Sequence, residues 1–239
     1  MIKLLCFLLF NAYVVNNAVG SVIEVGGFKS YVSGSPHAEH AVILVSDILG
    51  YKVPNLRAIA DKVASAGYYV VVPDFFNEDI YNPNNTRRPL NKWMESHPTE
   101  QGVKDAKAVI RALRKRGFSS IGVAGFCWGG KVAAILSSTA NIQAVVLCHP
   151  TFVTLTDIKD VEVPIAILGA ELDTVCPKEL VKQYKKVLLT KPQIKNYVKI
   201  FRGVDHGWTT VYDLNDKKAV KAAEKSHMEI LDWFNKSLK

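Results

Sequence analysis

The amino-acid sequence predicts an α/β fold with a mostly parallel central sheet and helices on both faces. From about residue 41, short apolar runs alternate with amphipathic segments, the pattern of strands joined through crossover helices. The 239 residues, of which 49% are hydrophobic, suit one globular domain with a sizeable core. We therefore expect a single domain over residues 21–239.

The predicted elements follow in order along the chain. Residues 21–34 indicate an antiparallel edge hairpin that precedes the parallel strands. The predicted strands are the short apolar runs 41–45, 69–72, 120–124, 144–147, 165–168 and 197–201. The predicted helices are the amphipathic segments 55–66, 101–116, 131–137, 178–189 and 217–234. Residues 77–98 contain Asn-Pro, Arg-Arg-Pro and His-Pro breakers, so we expect a long surface excursion that either covers a site or is a tolerated insertion.

The first 20 residues are predicted to be a signal peptide. Lys3 precedes an apolar run over residues 4–15, and Ala18-Val19-Gly20 then places small residues at both cleavage-specifying positions. The run is too short for a stable membrane span. We expect a secreted protein if the segment is a genuine signal peptide and a cytoplasmic one otherwise. A misassigned start and a retained first helix are the alternatives.

Charge and cysteine content exclude several classes of protein. Lys and Arg number 30 against 22 Asp and Glu, a formal charge of +8, but the basic residues are spread over solvated helix faces. We therefore expect no nucleic-acid partner. The cysteines beyond residue 20 are odd in number and irregularly spaced, so no disulfide scaffold is implied. Cys148 and Cys176 lack the spacing and ligand number of a metal site, so we expect no metal. We also expect a monomer.

The sharpest motif is Gly125-Phe126-Cys127-Trp128-Gly129-Gly130, between a predicted strand and a predicted helix. A tight strand-to-helix turn holds a nucleophile in a strained conformation, and glycines on either side avoid collisions with neighbouring backbone. The helix N-terminus favours a thiolate, and the Trp128 N–H would point at a developing oxyanion. Cys127 is therefore the predicted nucleophile, with a buried structural cysteine as the alternative.

A thiol nucleophile needs a base, and His206 follows the last predicted strand directly. The carboxyl ends of parallel strands share one rim, so we expect His206 beside Cys127. The loop after the preceding strand supplies two acidic residues, of which we favour Asp173 as the group that orients the imidazole; Glu171 is the alternate. The order nucleophile, acid, base is that of the α/β-hydrolase triad.

The loop after strand 41–45 and nearby aromatic residues complete the predicted site. Such folds place an oxyanion loop here, and the Ile48 N–H is the predicted second donor. The carboxylate of Asp47 would accept the thiol proton or hold the thiol neutral until substrate arrives, an ordinary turn aspartate being the alternative. Aromatic residues near the same rim are predicted to line an apolar pocket, with plain core packing as the alternative: Phe75, Phe76, Tyr81 and Trp208.

The chain resembles the dienelactone hydrolases, also called carboxymethylenebutenolidases, across residues 28–238. The resemblance rests on residues 125–130, 169–173 and 205–207, and residues 44–50 and 72–76 are most similar to the plant branch of that family. It implies an α/β-hydrolase fold, a triad of Cys127, Asp173 and His206, no cofactor, and a small ester or lactone as substrate. Bacterial members carry Glu at the position of Asp47 and use it to control the charge of the thiol.

Two other functions stay open. Some plant members of this family carry a 1,3;1,4-β-glucanase label, and glycoside hydrolysis needs two carboxyls roughly 5 to 9.5 Å apart. Candidate carboxylates are Asp47, Asp74, Glu171 and Asp173. A receptor on a hydrolase scaffold would bind a small ligand without turnover. We prefer the thiol mechanism, because either alternative leaves the Cys, His and Asp set without a purpose.

Overall fold

A computed structural model describes residues 19–238, so the predicted signal peptide lies almost wholly outside the described residues. The strands are β1 (Ser21–Val25), β2 (Phe28–Ser33), β3 (His40–Val45), β4 (Tyr69–Pro73), β5 (Ser120–Phe126), β6 (Ala144–Cys148), β7 (Ile165–Ala170) and β8 (Asn196–Phe201). The helices are α1 (Pro54–Ser65), α2 (Leu90–Ser96), α3 (Thr99–Lys115), α4 (Trp128–Thr139), α5 (Leu155–Lys159), α6 (Lys178–Leu189) and α7 (Lys217–Ser237). Within residues 19–238, no helix is both long and apolar enough to cross a membrane.

The strands form one eight-stranded sheet in the order β1-β2-β4-β3-β5-β6-β7-β8. β1 pairs antiparallel with β2, and β2 pairs antiparallel with β4. Every pairing from β4 through to β8 is parallel. The predicted α/β fold, with its edge hairpin and mostly parallel sheet, is therefore confirmed.

The sheet separates two apolar layers, because successive side chains of a strand point to opposite faces. In β3, Val42 and Leu44 pack in the layer that contains residues of α1 and α7. Ile43 and Val45 pack in the other layer, which contains residues of α3, α4 and α6. Both faces are covered, which explains why the central strands are almost continuously apolar.

The excursion over residues 77–98 is more ordered than its breakers predict. It contains α2, whose Trp93 is 1% exposed and donates its ring N–H to the Asp79 carbonyl oxygen at 2.8 Å. The Tyr81 N–H donates to the Ile48 carbonyl oxygen at 3.0 Å, which ties the excursion to the loop after β3. The seven residues of α2 are too few to show a periodic pattern, so the sequence did not predict this helix.

The turn between β5 and α4 is packed backbone against backbone. Cys127 adopts φ +51° and ψ −110°, in the left-handed half of conformational space that costs a side chain energy. A Cβ atom at Gly125 would lie 2.0 Å from the Gly129 carbonyl oxygen, and one at Gly129 would lie 2.2 Å from the Val45 carbonyl oxygen. Glycine at both positions is thus a steric requirement of the turn.

We expect Gly125→Ala to lower the free energy of unfolding by about 3 kcal/mol or more, because its Cβ meets a carbonyl oxygen that cannot move alone. Gly169→Ala is a matched control near the carboxyl end of another central strand, where the Cβ would meet a Val181 methyl group at 2.8 Å. It should cost about 1 kcal/mol, since that side chain can shift. Urea unfolding of both variants tests this, and equal losses would contradict it.

His227 of α7 is a buried neutral histidine. Its Nε2 lies 2.8 Å from the Thr209 carbonyl oxygen and its Nδ1 lies 3.3 Å from the Lys62 ammonium nitrogen. Nε2 therefore donates its proton to the carbonyl, and Nδ1 accepts from the ammonium group. Burial first and the Lys62 charge second lower the pKa of His227 from 6.5 to about 4, against the effect of the Thr209 hydrogen bond.

This lowered pKa predicts a loss of stability in acid. Between about pH 6.5 and pH 4 the unfolded imidazole binds a proton and the folded one does not, so stability falls as the pH falls through this window. We expect the loss attributable to His227 to be about 3 kcal/mol. Denaturant unfolding at pH 7 and pH 4.5 should show a smaller loss in His227→Gln than in the unchanged protein. Identical losses would show that His227 does not cause it.

Candidate active site

Loops at the carboxyl ends of the parallel strands bring the predicted site residues to one rim. Cys127 lies between β5 and α4, Asp173 follows β7, and His206 follows β8. Asp47 follows β3 on the same rim. The parallel pairing of the central strands explains this convergence, because it aligns their carboxyl ends.

His206 and Asp173 form an ion pair. His206 Nδ1 lies 2.8 Å from Asp173 Oδ2, and the Asp173 side chain is fully covered from solvent. The other oxygen, Oδ1, accepts the backbone N–H groups of Val175 at 2.8 Å and Cys176 at 2.9 Å. The alternate acid, Glu171, instead accepts the Gly203 N–H at 3.0 Å. The structure therefore places Asp173, and not Glu171, against the imidazole.

The Cys127 sulfur has a hydrogen-bond partner that the sequence analysis missed. Cys127 Sγ lies 3.2 Å from the Thr151 hydroxyl oxygen, which lies 3.5 Å from His206 Nε2. The Thr151 N–H also donates to the Cys127 carbonyl oxygen at 3.0 Å, so the hydroxyl is held beside the nucleophile. Thr151 follows β6 at the same rim, and its position after a central strand was the signal that would have found it.

The imidazole of His206 favours its protonated form. Burial alone lowers its pKa, but the hydrogen bond to Asp173 and the interaction with Cys127 outweigh burial and raise the pKa of His206 to about 10. His149 packs edge-to-face on this ring, with 5.0 Å between the ring centroids. Burial and the nearby His206 charge hold the pKa of His149 well below its usual value, so one of the two rings carries the charge.

Two backbone N–H groups, one at the start of α4 and one in the loop after β3, have no acceptor among residues 19–238. Trp128 is the first residue of α4, where an N–H has no partner within the helix. In the loop after β3, the N–H groups of Leu49 and Gly50 donate to Asp47, whereas that of Ile48 does not. Across residues 19–238, no oxygen accepts the N–H of either Ile48 or Trp128.

Asp47 links the loop after β3 to the loop that carries His206. Its carboxylate accepts the Leu49 N–H at 2.8 Å and the Thr210 hydroxyl at 2.9 Å. The Thr210 carbonyl oxygen in turn accepts from Asn55 of α1 at 3.0 Å. Burial raises the pKa of Asp47, although these hydrogen bonds oppose the rise. No hydrogen bond described here joins Asp47 to Cys127, and its control of the thiol stays a prediction.

The predicted pocket residues are all buried, with exposures of 1% to 8%. Phe76 packs edge-to-face on both Trp93 and Trp128, with ring centroids 4.9 Å and 4.8 Å apart. Tyr81 contacts the same Trp93 at 6.2 Å, whereas Phe75 packs on Phe28 at 5.3 Å. Trp208 packs on His149 at 5.3 Å, and His149 in turn packs on the His206 ring. A substrate pocket lined by these residues remains a prediction.

The other described cysteines differ from Cys127 in burial. Cys148 and Cys176 are free and fully buried, whereas Cys127 is partly exposed. Burial raises the pKa of the Cys148 thiol far above its usual value and that of Cys176 to about 12. Both are therefore poor nucleophiles. Within residues 19–238, no group of three or more His, Cys, Asp or Glu side chains could hold a metal ion.

Comparison with known sequences finds one family. The model of the Dienelactone hydrolase family matches residues 28–238. An endo-1,3;1,4-beta-D-glucanase from Zea mays is 43% identical over 169 residues, which are 71% of this chain and 54% of that protein. The chain thus spans about half the length of this relative. A carboxymethylenebutenolidase homolog from Mus musculus is 31% identical over 227 residues, or 91% of each protein.

Solved structures share the fold. A crystal structure of a Klebsiella pneumoniae protein of the dienelactone hydrolase type has a TM-score of 0.71 and 18% identity, covering 90% of this chain and 97% of the other. Thermogutta terrifontis esterase 2 has a TM-score of 0.64 and 14% identity, covering 90% of this chain and 94% of the other. The predicted α/β-hydrolase fold is confirmed.

We expect Asp173→Asn to lower the pKa of His206 by about two pH units, because the variant loses the negative charge beside the imidazolium. In the unchanged protein, ¹⁵N NMR of labelled histidine should find His206 still protonated at pH 8, below its pKa of about 10. Glu171→Gln is the matched control and should leave the titration unchanged. The assignment of Asp173 would be wrong if both variants shifted the titration equally.

Proposed function

The chain belongs to the dienelactone hydrolase family, and from that premise we propose that it hydrolyses a small ester or lactone through a thioester on Cys127. One observation carries the proposal. Cys127 occupies a strained turn at the start of α4, on the rim where His206 is paired with Asp173. A buried structural cysteine has no need of this backbone conformation or of these neighbours.

The first step is acylation of the thiol. The Cys127 thiolate attacks the carbonyl carbon, and the N–H groups of Ile48 and Trp128 stabilise the oxyanion. When the tetrahedral intermediate collapses, the carbon–oxygen bond of the ester breaks and the protonated His206 gives its proton to the leaving oxygen. The raised pKa of His206 supplies this proton donor at neutral pH.

The second step is hydrolysis of the thioester. The imidazole of His206, now neutral, takes a proton from water as the water attacks the acyl carbon. Asp173 holds Nδ1–H and leaves Nε2 as the acceptor, so the ring is in the tautomer that this step needs. Collapse of the second intermediate releases the acid and restores the Cys127 thiolate and the imidazolium.

Glycoside hydrolysis is a second candidate, because the Zea mays relative is named as a glucanase. It would need two carboxyls that face a common substrate. Asp47 is bonded to Leu49 and Thr210, and the Asp74 carboxylate accepts the N–H groups of Phe76 at 3.2 Å and Glu78 at 2.9 Å. Asp173 is bonded to His206, so each of these buried carboxylates is already hydrogen-bonded within the protein, which favours the thiol mechanism.

We expect Cys127→Ala to lose hydrolysis of p-nitrophenyl acetate and of a panel of small lactones by about a thousandfold or more. The unchanged protein should carry an acetyl group on Cys127 when the reaction is quenched early and analysed by mass spectrometry. Cys127→Ser is the matched control, since it keeps the shape of the turn and forms an oxygen ester instead of a thioester.

The same preparations separate the other functions. Hydrolysis of 1,3;1,4-β-glucan that survives in Cys127→Ala and is lost in Asp47→Asn would replace the thiol mechanism by a glycosidase. Binding of a lactone without turnover, by a protein that melts cooperatively, would indicate a receptor. Ester hydrolysis in Cys127→Ala at the rate of the unchanged protein would also contradict the thioester proposal.

A further inference from the structure

The Thr151 hydroxyl lies between the proposed nucleophile and its base. It is 3.2 Å from Cys127 Sγ and 3.5 Å from His206 Nε2. Thr151 is 7% exposed and its N–H is bonded to the Cys127 carbonyl oxygen, which fixes the backbone of Thr151 beside the nucleophile. The sulfur is hydrogen-bonded to this hydroxyl and also interacts directly with His206, whose pKa it raises.

A hydroxyl in this place suits both charge states of the pair. With a neutral pair, the thiol donates to the Thr151 oxygen, and the Thr151 hydroxyl donates to His206 Nε2. With a charged pair, the hydroxyl donates to the thiolate and accepts from the imidazolium. A hydroxyl group can donate one hydrogen bond and accept two, so it can make the hydrogen bonds that each arrangement requires. The two arrangements differ only in the positions of two protons.

We propose that the Thr151 hydroxyl donates a hydrogen bond to the Cys127 thiolate and so holds the sulfur charged beside protonated His206. This rests on the proposed thiol mechanism, in which the pair starts and ends each turnover as thiolate and imidazolium. The charged arrangement is therefore that of the resting protein, and no proton is transferred to or from Thr151.

Charged and titratable groups surround this hydroxyl, one of them, His149, on the same loop as Thr151 and the others on different loops. Asp173 and His149 contact the His206 ring, and Asp47 lies close enough for the His206 charge to lower its pKa. A change at Thr151 leaves all of these side chains in place. An altered pH response in such a variant therefore reports on the hydroxyl itself.

The test measures the pH dependence of Cys127 alkylation by iodoacetamide in the full chain. Tryptic peptide mapping distinguishes Cys127 from every other cysteine, because the peptide 117–131 contains Cys127 alone. In Thr151→Val, which keeps the shape and lacks the hydroxyl, the midpoint should rise by about one pH unit, because the thiolate loses a hydrogen bond. Thr151→Ser keeps the hydroxyl and should restore the midpoint of the unchanged protein.

Turnover gives a second readout. For p-nitrophenyl acetate we expect kcat/KM to fall about tenfold in Thr151→Val and to recover in Thr151→Ser. If the valine variant does not fold, Thr151→Ala is the second variant that lacks the hydroxyl. An alkylation midpoint that is unchanged or lower in the folded hydroxyl-free variant overturns this role of Thr151.

Alkylation needs no substrate, so the two proposals fail separately. Hydrolysis that depends on Cys127 together with an unmoved midpoint would leave the thioester mechanism and remove the role of Thr151 in holding the thiolate. Hydrolysis independent of Cys127 would remove the thioester mechanism, and with it the catalytic role of Thr151, whatever the midpoint shows.

Discussion

A Cβ atom at Gly129 would lie 2.2 Å from the Val45 carbonyl oxygen, so the first turn of α4 reaches the end of β3 only with glycine there. This approach of backbone to backbone sets the geometry of the site. It places the first N–H of α4, on Trp128, beside the loop that contains Ile48. Cys127 therefore cannot adopt a regular helical or extended conformation. The close packing of the residues on either side of it offsets the energetic cost of its positive φ.

The charged groups at the rim influence one another's ionisation states. The Asp173 carboxylate is covered from solvent but has three hydrogen bonds, one of which is to His206. Burial and the positive His206 keep His149 neutral, and the same positive charge lowers the pKa of Asp47, which burial raises. A buried charge without such partners would cost several kcal/mol, on the order of its desolvation penalty. The pKa of His206 therefore depends on the positions of the loops around it, because these loops hold its charged partners.

The sequence was enough to predict the sheet and the presence of Cys127, Asp173 and His206 at one rim, because apolar runs mark the strands and parallel strands share one rim. It could not predict contacts between loops. Thr151 and Thr210 are ordinary polar residues in their segments, and they acquire a role only through Cys127 and Asp47. Trp93 anchors the excursion over residues 77–98 through one buried side chain, and a single buried residue produces no periodic apolar pattern in the sequence. Choosing Asp173 over Glu171 likewise needs the spatial positions of both carboxylates.

The hydrogen bond between Asp47 and Thr210 joins positions 163 residues apart in the chain. Parallel strands cannot pair through tight turns, so each added strand closes a long loop at an entropic cost before its contacts form. The antiparallel pair β1 and β2, by contrast, is local. During synthesis the Cys127 turn leaves the ribosome well before the segment with His206 and Thr210. The Cys127 thiol and the His206 imidazole therefore meet late in folding, and a chain that has folded only in part has not yet brought the two groups together.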